Sequence, residues 1–222
     1  MSSSHSRDFA TAEELERFRN VRWLRNHWAR PISPRAYYWY LTFEDSQELR
    51  SLVSDFQERI VFPYYDLTPL HDLHLTLDRI AFEDDITPDQ LSAIKGAAIR
   101  DCQGIPPFDI TVGPLGGTRG AIGITVSPVQ PIENLRDALR AATMSAYPDA
   151  PIKQSGFHPH VTIAYANSDG VPAAEVIATV EKLNSTACID ATATIDKVVL
   201  VLLERRQRSY VWQAISQTPL TG

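Results

Sequence analysis

His74-Leu75-Thr76-Leu77 recurs as His160-Val161-Thr162-Ile163, 86 residues further along a chain of 222. At this chain's histidine and threonine frequencies a His-apolar-Thr-apolar tetrad is expected roughly 0.1 times per chain, so two mark a repeat or a paired site. The same offset carries Glu48-Leu49-Arg50-Ser51-Leu52-Val53 onto Asn134-Leu135-Arg136-Asp137-Ala138-Leu139, and Cys102 onto Cys188. It also sets residues 110–112 on the start of 196–201. Each match is weak alone, but a shared register points to duplication.

Periodicity outside the tetrads gives the same order of elements twice. Residues 35–43 (RAYYWYLTF) are aromatic and β-forming and read as a strand. Ser46 then opens a helix with Leu49, Leu52, Val53, Phe56 and Ile60 at three-four spacing. Residues 73–80 alternate as a second strand, Thr87-Pro88-Asp89 starts a second helix ending near Cys102, and 108–112 form a third strand. The second half predicts a strand over 121–126, a helix over 132–147, a strand over 159–165, a helix over 172–184 and a strand over 194–203. The expected fold is α+β, a duplicated two-lobe architecture with antiparallel sheets facing a central cleft and helices outside. The lobe repeats cover about 37–115 and 121–203 of a domain spanning 37–222, which ends in a tail strand. Residues 1–36 form an N-terminal extension, where Leu15, Phe18, Val21, Leu24 and Trp28 predict a docked amphipathic helix within 11–28.

Composition narrows the function classes. With 44% hydrophobic and 22% charged residues the chain is an ordinary globular protein. Two cysteines exclude a disulfide scaffold, and no CxxC knuckle or Gly-Lys-Ser/Thr phosphate loop occurs. The polar first residues and the lack of a long apolar run predict neither a signal peptide nor a membrane span, hence a reduced, cytoplasmic protein. Net charge is −6; residues 1–36 carry seven arginines against four acidic residues, leaving −9 for the remainder. That balance argues against binding long nucleic-acid tracts.

In each tetrad strand the histidine and threonine share one face and the aliphatic residues the other. Two imidazoles across a cleft suit displacement at phosphorus, one removing a proton from the attacking oxygen and one protonating the departing oxygen. The threonine hydroxyls suit non-bridging phosphate oxygens. His158 shares the face of His160 and Thr162, and Tyr38 and Tyr40 share a face of the first strand, from which a tyrosine can stack on a base or pack between lobes.

Together, His74-Leu75-Thr76-Leu77 and Ser155-Gly156-Phe157-His158-Pro159-His160-Val161-Thr162-Ile163 resemble the 2H phosphoesterase superfamily, in particular its 2′-5′ RNA ligase and cyclic phosphodiesterase branch. The resemblance spans about residues 35–212 and implies a two-lobed fold without a metal or other cofactor. It also implies His74 and His160 as an acid/base pair, with Thr76 and Thr162 binding phosphate. Arg119, in Gly116-Gly117-Thr118-Arg119-Gly120, and Tyr210 on the late strand match the family more loosely as substrate contacts; His158 and Tyr40 join them as candidates on their strand faces alone. The expected activity is metal-independent hydrolysis of a 2′,3′-cyclic phosphate or 2′-5′ linkage of an RNA end or small nucleotide, by a monomer. Two alternatives stay open: a non-catalytic nucleotide- or RNA-binding module, and a metal hydrolase built on His71, His74, His158 and His160. The basic N-terminal extension and the absence of a serine-glycine turn after Leu203 depart from the compact family members and leave the substrate open.

Overall fold

A computed structural model describes residues 12–152, 156–187 and 191–222. Cys188, Ser155 and the polar first residues lie outside the described residues. Nine strands and five helices follow in the order α1 (Ala12–Arg19), β1 (Ala36–Thr42), α2 (Gln47–Gln57), β2 (Tyr65–Leu67), β3 (His74–Phe82), α3 (Pro88–Cys102), β4 (Phe108–Gly117) and β5 (Ala121–Ser127) among the described residues. The second half continues with α4 (Val129–Ala146), β6 (His160–Ala166), α5 (Ala174–Thr186), β7 (Thr192–Ile195), β8 (Lys197–Arg205) and β9 (Tyr210–Pro219).

The strands form two antiparallel sheets, ordered β3-β1-β8-β9 and β2-β6-β5-β4-β7. The duplication is thus cross-wired. The first half supplies β1 and β3 to one sheet but sends β4 to the other; the second half supplies β5 and β6 and returns β8 to the first sheet. The strand trio β3-β1-β8 is the counterpart of β6-β5-β4. Exchange of the third strands explains why neither half of the chain closes a sheet alone.

Helix signals read from the sequence have visible causes. Thr87 makes a complete capping box with Gln90, and Pro88 fills the first helical position, where its missing N–H costs nothing. Leu49, Val53 and Phe56 of α2 and Ile132, Leu135, Leu139 and Ala142 of α4 turn one stripe inward. A continuous core lies between helices and sheets, with Leu75, Leu77, Val161 and Ile163 of the two tetrad strands fully inside. Burial of these apolar faces supplies the main stabilising term.

Three elements differ from the sequence reading. The strand expected over 194–203 is split at Asp196: β7 pairs with β4, whereas β8 pairs with β1 and β9. The three-residue edge strand β2, too short to show alternation, pairs with β6. The stripe from Leu15 to Trp28 is realised in pieces, because α1 ends at Arg19 and the chain then runs extended to a single 3-10 turn, His27–Ala29. Asn20 donates to the Glu16 carbonyl at 2.8 Å and helps close α1, and Leu24 then exchanges backbone hydrogen bonds with Val171 and Gly170. Phe18, Leu24 and Trp28 still reach the interior, along a bent path.

Candidate active site

The strands β3 and β6 lie beside one another where the sheets meet, and each begins at a tetrad histidine. Alternation puts His74 and Thr76 on the opposite face from Leu75 and Leu77, and His160 and Thr162 opposite Val161 and Ile163. Both imidazoles are held in the same way. His74 Nδ1 donates to the carbonyl of Asp72 at 2.7 Å, and His160 Nδ1 donates to the carbonyl of His158 at 2.7 Å. A carbonyl only accepts, so Nδ1 carries the proton and Nε2 is left to take or give one.

Each tetrad threonine has a tyrosine nearby: Tyr40 lies opposite Thr76 in the β1–β3 pairing, and Tyr165 follows Thr162 along β6. Burial holds both phenols well above their ordinary range, so they stay protonated. Behind the strands, Arg136 of α4 donates to the Leu77 carbonyl at 2.9 Å, contacts Asp78 at 3.2 Å and lies 4.3 Å from the ring centre of Phe157. One buried guanidinium thereby joins the strand of His74 to the segment leading into His160.

Symmetry between the two motifs is broken one strand away. In one sheet Tyr40 is paired with Thr76; in the other, Gly123 is paired with Thr162. Tyr40 stacks on His74 with ring centres 4.1 Å apart and planes 10° apart. Burial, with a smaller contribution from the neighbouring His160, pushes the His74 imidazole down to about 4, against the opposing effect of the Asp72 carbonyl. His160, by contrast, is exposed, and Gly123 lets its strand run close beside it: a Cβ at Gly123 would lie 3.5 Å from the His160 ring and 3.2 Å from the Val161 carbonyl oxygen. A chamber of about 800 Å³ opens there, lined by His160, Thr162, His158, Arg119 and the N-terminal segment.

The residues expected from the sequence therefore separate. His74, Thr76, His160 and Thr162 come together, with Tyr40 packed behind His74 rather than on open surface. His158 and Arg119 line the chamber, and Arg119 Nε also donates to the Trp23 carbonyl at 3.2 Å. Tyr210 instead meets His27 Nε2 at 2.8 Å. The His27 ring also lies 4.3 Å from that of Tyr165 and 4.8 Å from that of Trp28. His71 is largely exposed and reaches Asp72 at 3.5 Å. No group of three His, Cys, Asp or Glu residues that could hold a metal occurs among the described residues.

Sequence reasoning missed Tyr165, His27, Trp28 and Gly123. Tyr165 follows a bulge in the β5–β6 pairing, so parity along the strand assigns it to the wrong face. The other three matter only through cross-strand register or a non-helical chain path.

A profile of the 2'-5' RNA ligase superfamily matches residues 43–207, a span that holds both tetrads. The chain belongs to the 2'-5' RNA ligase superfamily. Among solved structures, this superfamily member is similar to TT0787 of Thermus thermophilus, with TM-score 0.67 and 18% identity over 84% of this chain and 98% of that one. It is also similar to E. coli LigT complexed with NADP+, with TM-score 0.63 and 17% identity over 86% of this chain and 100% of that one. A LigT structure complexed with 3'-AMP gives TM-score 0.62 and 14% identity, covering 86% of this chain and 100% of LigT. No curated protein matches by sequence. Membership of the superfamily supports an enzyme of the phosphodiesterase or ligase kind, on a fold shared with these structures. No helix among the described residues is long and apolar enough to cross a membrane.

Proposed function

We propose that the protein hydrolyses a 2′,3′-cyclic phosphate, or a 2′-5′ phosphodiester, on a small nucleotide or RNA end, with the two histidines as base and acid. The carrying observation is the matched pair of imidazoles, each fixed through Nδ1 on a carbonyl two residues earlier. Fixed tautomers supply two Nε2 atoms ready for proton transfer without reorganisation.

His74 is the base in this reading, because an imidazole held at about 4 is neutral at physiological pH. Its Nε2 takes the proton of water as the oxygen bonds to phosphorus. The bond from phosphorus to one ribose oxygen breaks, and the proton on His160 Nε2 passes to that oxygen, leaving a phosphomonoester. Thr76 and Thr162 donate to the non-bridging oxygens, where charge accumulates. That LigT has been crystallised with 3'-AMP supports a nucleotide ligand for this chain.

The test is incubation with 2′,3′-cyclic nucleotides, RNA ending in a cyclic phosphate and 2′-5′ oligonucleotides in EDTA, with assignment of the phosphate position in each product. Turnover in EDTA, lost in H74A and H160A, is expected. Equal turnover by those variants sinks the assignment. Binding of nucleotide without product by the wild type identifies a binding module, and activity restored only by added metal identifies a metal hydrolase.

A further inference from the structure

The N-terminal segment lies across the mouth of the cleft, tied to both sheets. On one side its backbone bonds to Val171, Gly170, Ala173 and Arg119, at 2.7–3.1 Å. On the other, buried Arg205 of β8 donates to the carbonyls of Trp28, Arg30 and Pro31 at 2.6–2.8 Å. Phe18 seats α1 on the second sheet, where any Cβ at Gly117 would come within 2.7 Å of its ring. The segment is thus built into the molecule as a fixed roof.

Beneath it the two sheets differ in what they show the cleft. The first presents Tyr40, Val199 and Val201, with Tyr38 and Trp212 packed against them. At the matching register positions the second has Gly123 in place of Tyr40 and Gly116 in place of Val199. Bulk fills one half of a pseudo-symmetric cleft, and its absence hollows the other. The hollow is the chamber of about 800 Å³, lined by Leu15 over Gly116, by Val21 and Trp23, by Arg22 and Arg119, and by His160 and Thr162. Trp23 is 52% exposed, although its backbone carbonyl is held by Arg119.

We infer that this chamber is a nucleobase subsite in which the N-terminal segment is part of the active site. The half-exposed indole of Trp23 offers a planar ring a stacking surface beside His160. Arginines at the edge suit the flanking phosphate or the polar rim of the base. The inference rests on the hydrolase reading and deepens it: with the base beside His160, the departing ribose oxygen lies on the His160 side and water approaches from the His74 side. A ring bound there has one face on Trp23 and so cannot stack in a duplex, and the preferred substrate is a nucleotide whose base is terminal and unpaired.

The experiment compares W23A, G123V and wild type on adenosine 2′,3′-cyclic phosphate and on the base-free analogue 1-O-methylribose 2′,3′-cyclic phosphate. Binding of 3′-AMP and inorganic phosphate is measured in parallel by calorimetry, and folding by circular dichroism. W23A is expected to lose about 10-fold or more in kcat/KM for the adenosine compound, largely through KM, with the base-free compound unchanged. It should also lose 3′-AMP affinity while retaining that for phosphate, whereas G123V, whose side chain meets the His160 ring, should lose turnover of both compounds. Unchanged discrimination between the two compounds in a folded, active W23A overturns the subsite and leaves the hydrolase reading standing. Absence of wild-type turnover together with Trp23-dependent 3′-AMP binding overturns the hydrolase reading and leaves the subsite standing. If G123V fails to fold, W23A alone decides, since that indole is half-exposed.

Discussion

Each imidazole in the cleft is locked by one backbone carbonyl, so proton traffic is confined to Nε2. On kcat/KM, the loss of neutral His74 as pH falls predicts an acid limb with its midpoint near 4. A pH–rate profile of the free enzyme checks this, and a first limb at the ordinary histidine value contradicts it. Tyr40 offers a finer test. Y40F keeps the ring stacked on His74, so the acid limb should stay unmoved. Y40A should instead expose His74 and shift that limb upward, readable in the same profile. At this scale the pairing of histidine with threonine was legible, because strand alternation alone puts them on one face. The stacking of Tyr40 on His74 and the placement of Gly123 beside His160 were not, because both depend on which residue lies opposite on the neighbouring strand.

At the scale of elements, the N-terminal segment behaves as structure rather than as a loose appendage. Removing the Arg205 side chain leaves the Trp28, Arg30 and Pro31 carbonyls without their shared charged donor. R205A should therefore cost about 2–4 kcal/mol in urea-unfolding free energy and raise the protease sensitivity of residues near the His27 turn. Unchanged stability and protection would refute the clamp. Gly117→Ala should destabilise by about 1–3 kcal/mol, because the added methyl meets Phe18 and the Ala121 carbonyl. The sequence showed the apolar stripe of this segment but not its path. A helix is the simplest carrier of three-four spacing, and nothing local signals that Leu24 finds its hydrogen-bond partners in Val171 and Gly170.

The whole molecule is two sheets that exchange their third strands, which binds the halves into one folding unit. Duplication and element order were readable in the 86-residue register; the exchange was not, because it is a choice of partner rather than of local conformation. Register itself varies with position. Tyr40 corresponds to Gly123, an offset of 83, whereas His74 corresponds to His160 at 86. Global stability should carry the imprint of two neutral, half-buried histidines. His27 and His74 are each held at about 4 in the folded state, His27 by burial and then by Arg30 and Arg205, against 6.5 unfolded. As pH falls through 6.5 the unfolded chain gains protons that the folded chain refuses until about 4, so stability drops across that window and each histidine's cost levels off below it. Urea midpoints between pH 7 and 4 should show this fall, and H27Q should flatten it; a pH-independent midpoint would contradict the burial of these rings.

The most direct measurement is the initial rate of opening of a 2′,3′-cyclic nucleotide in EDTA by wild type, H74A and H160A, with circular dichroism on the same samples. Folded variants slower by about 100-fold or more, beside an active wild type, are the predicted result. Folded variants that retain wild-type rates would show that the paired histidines are not the catalysts.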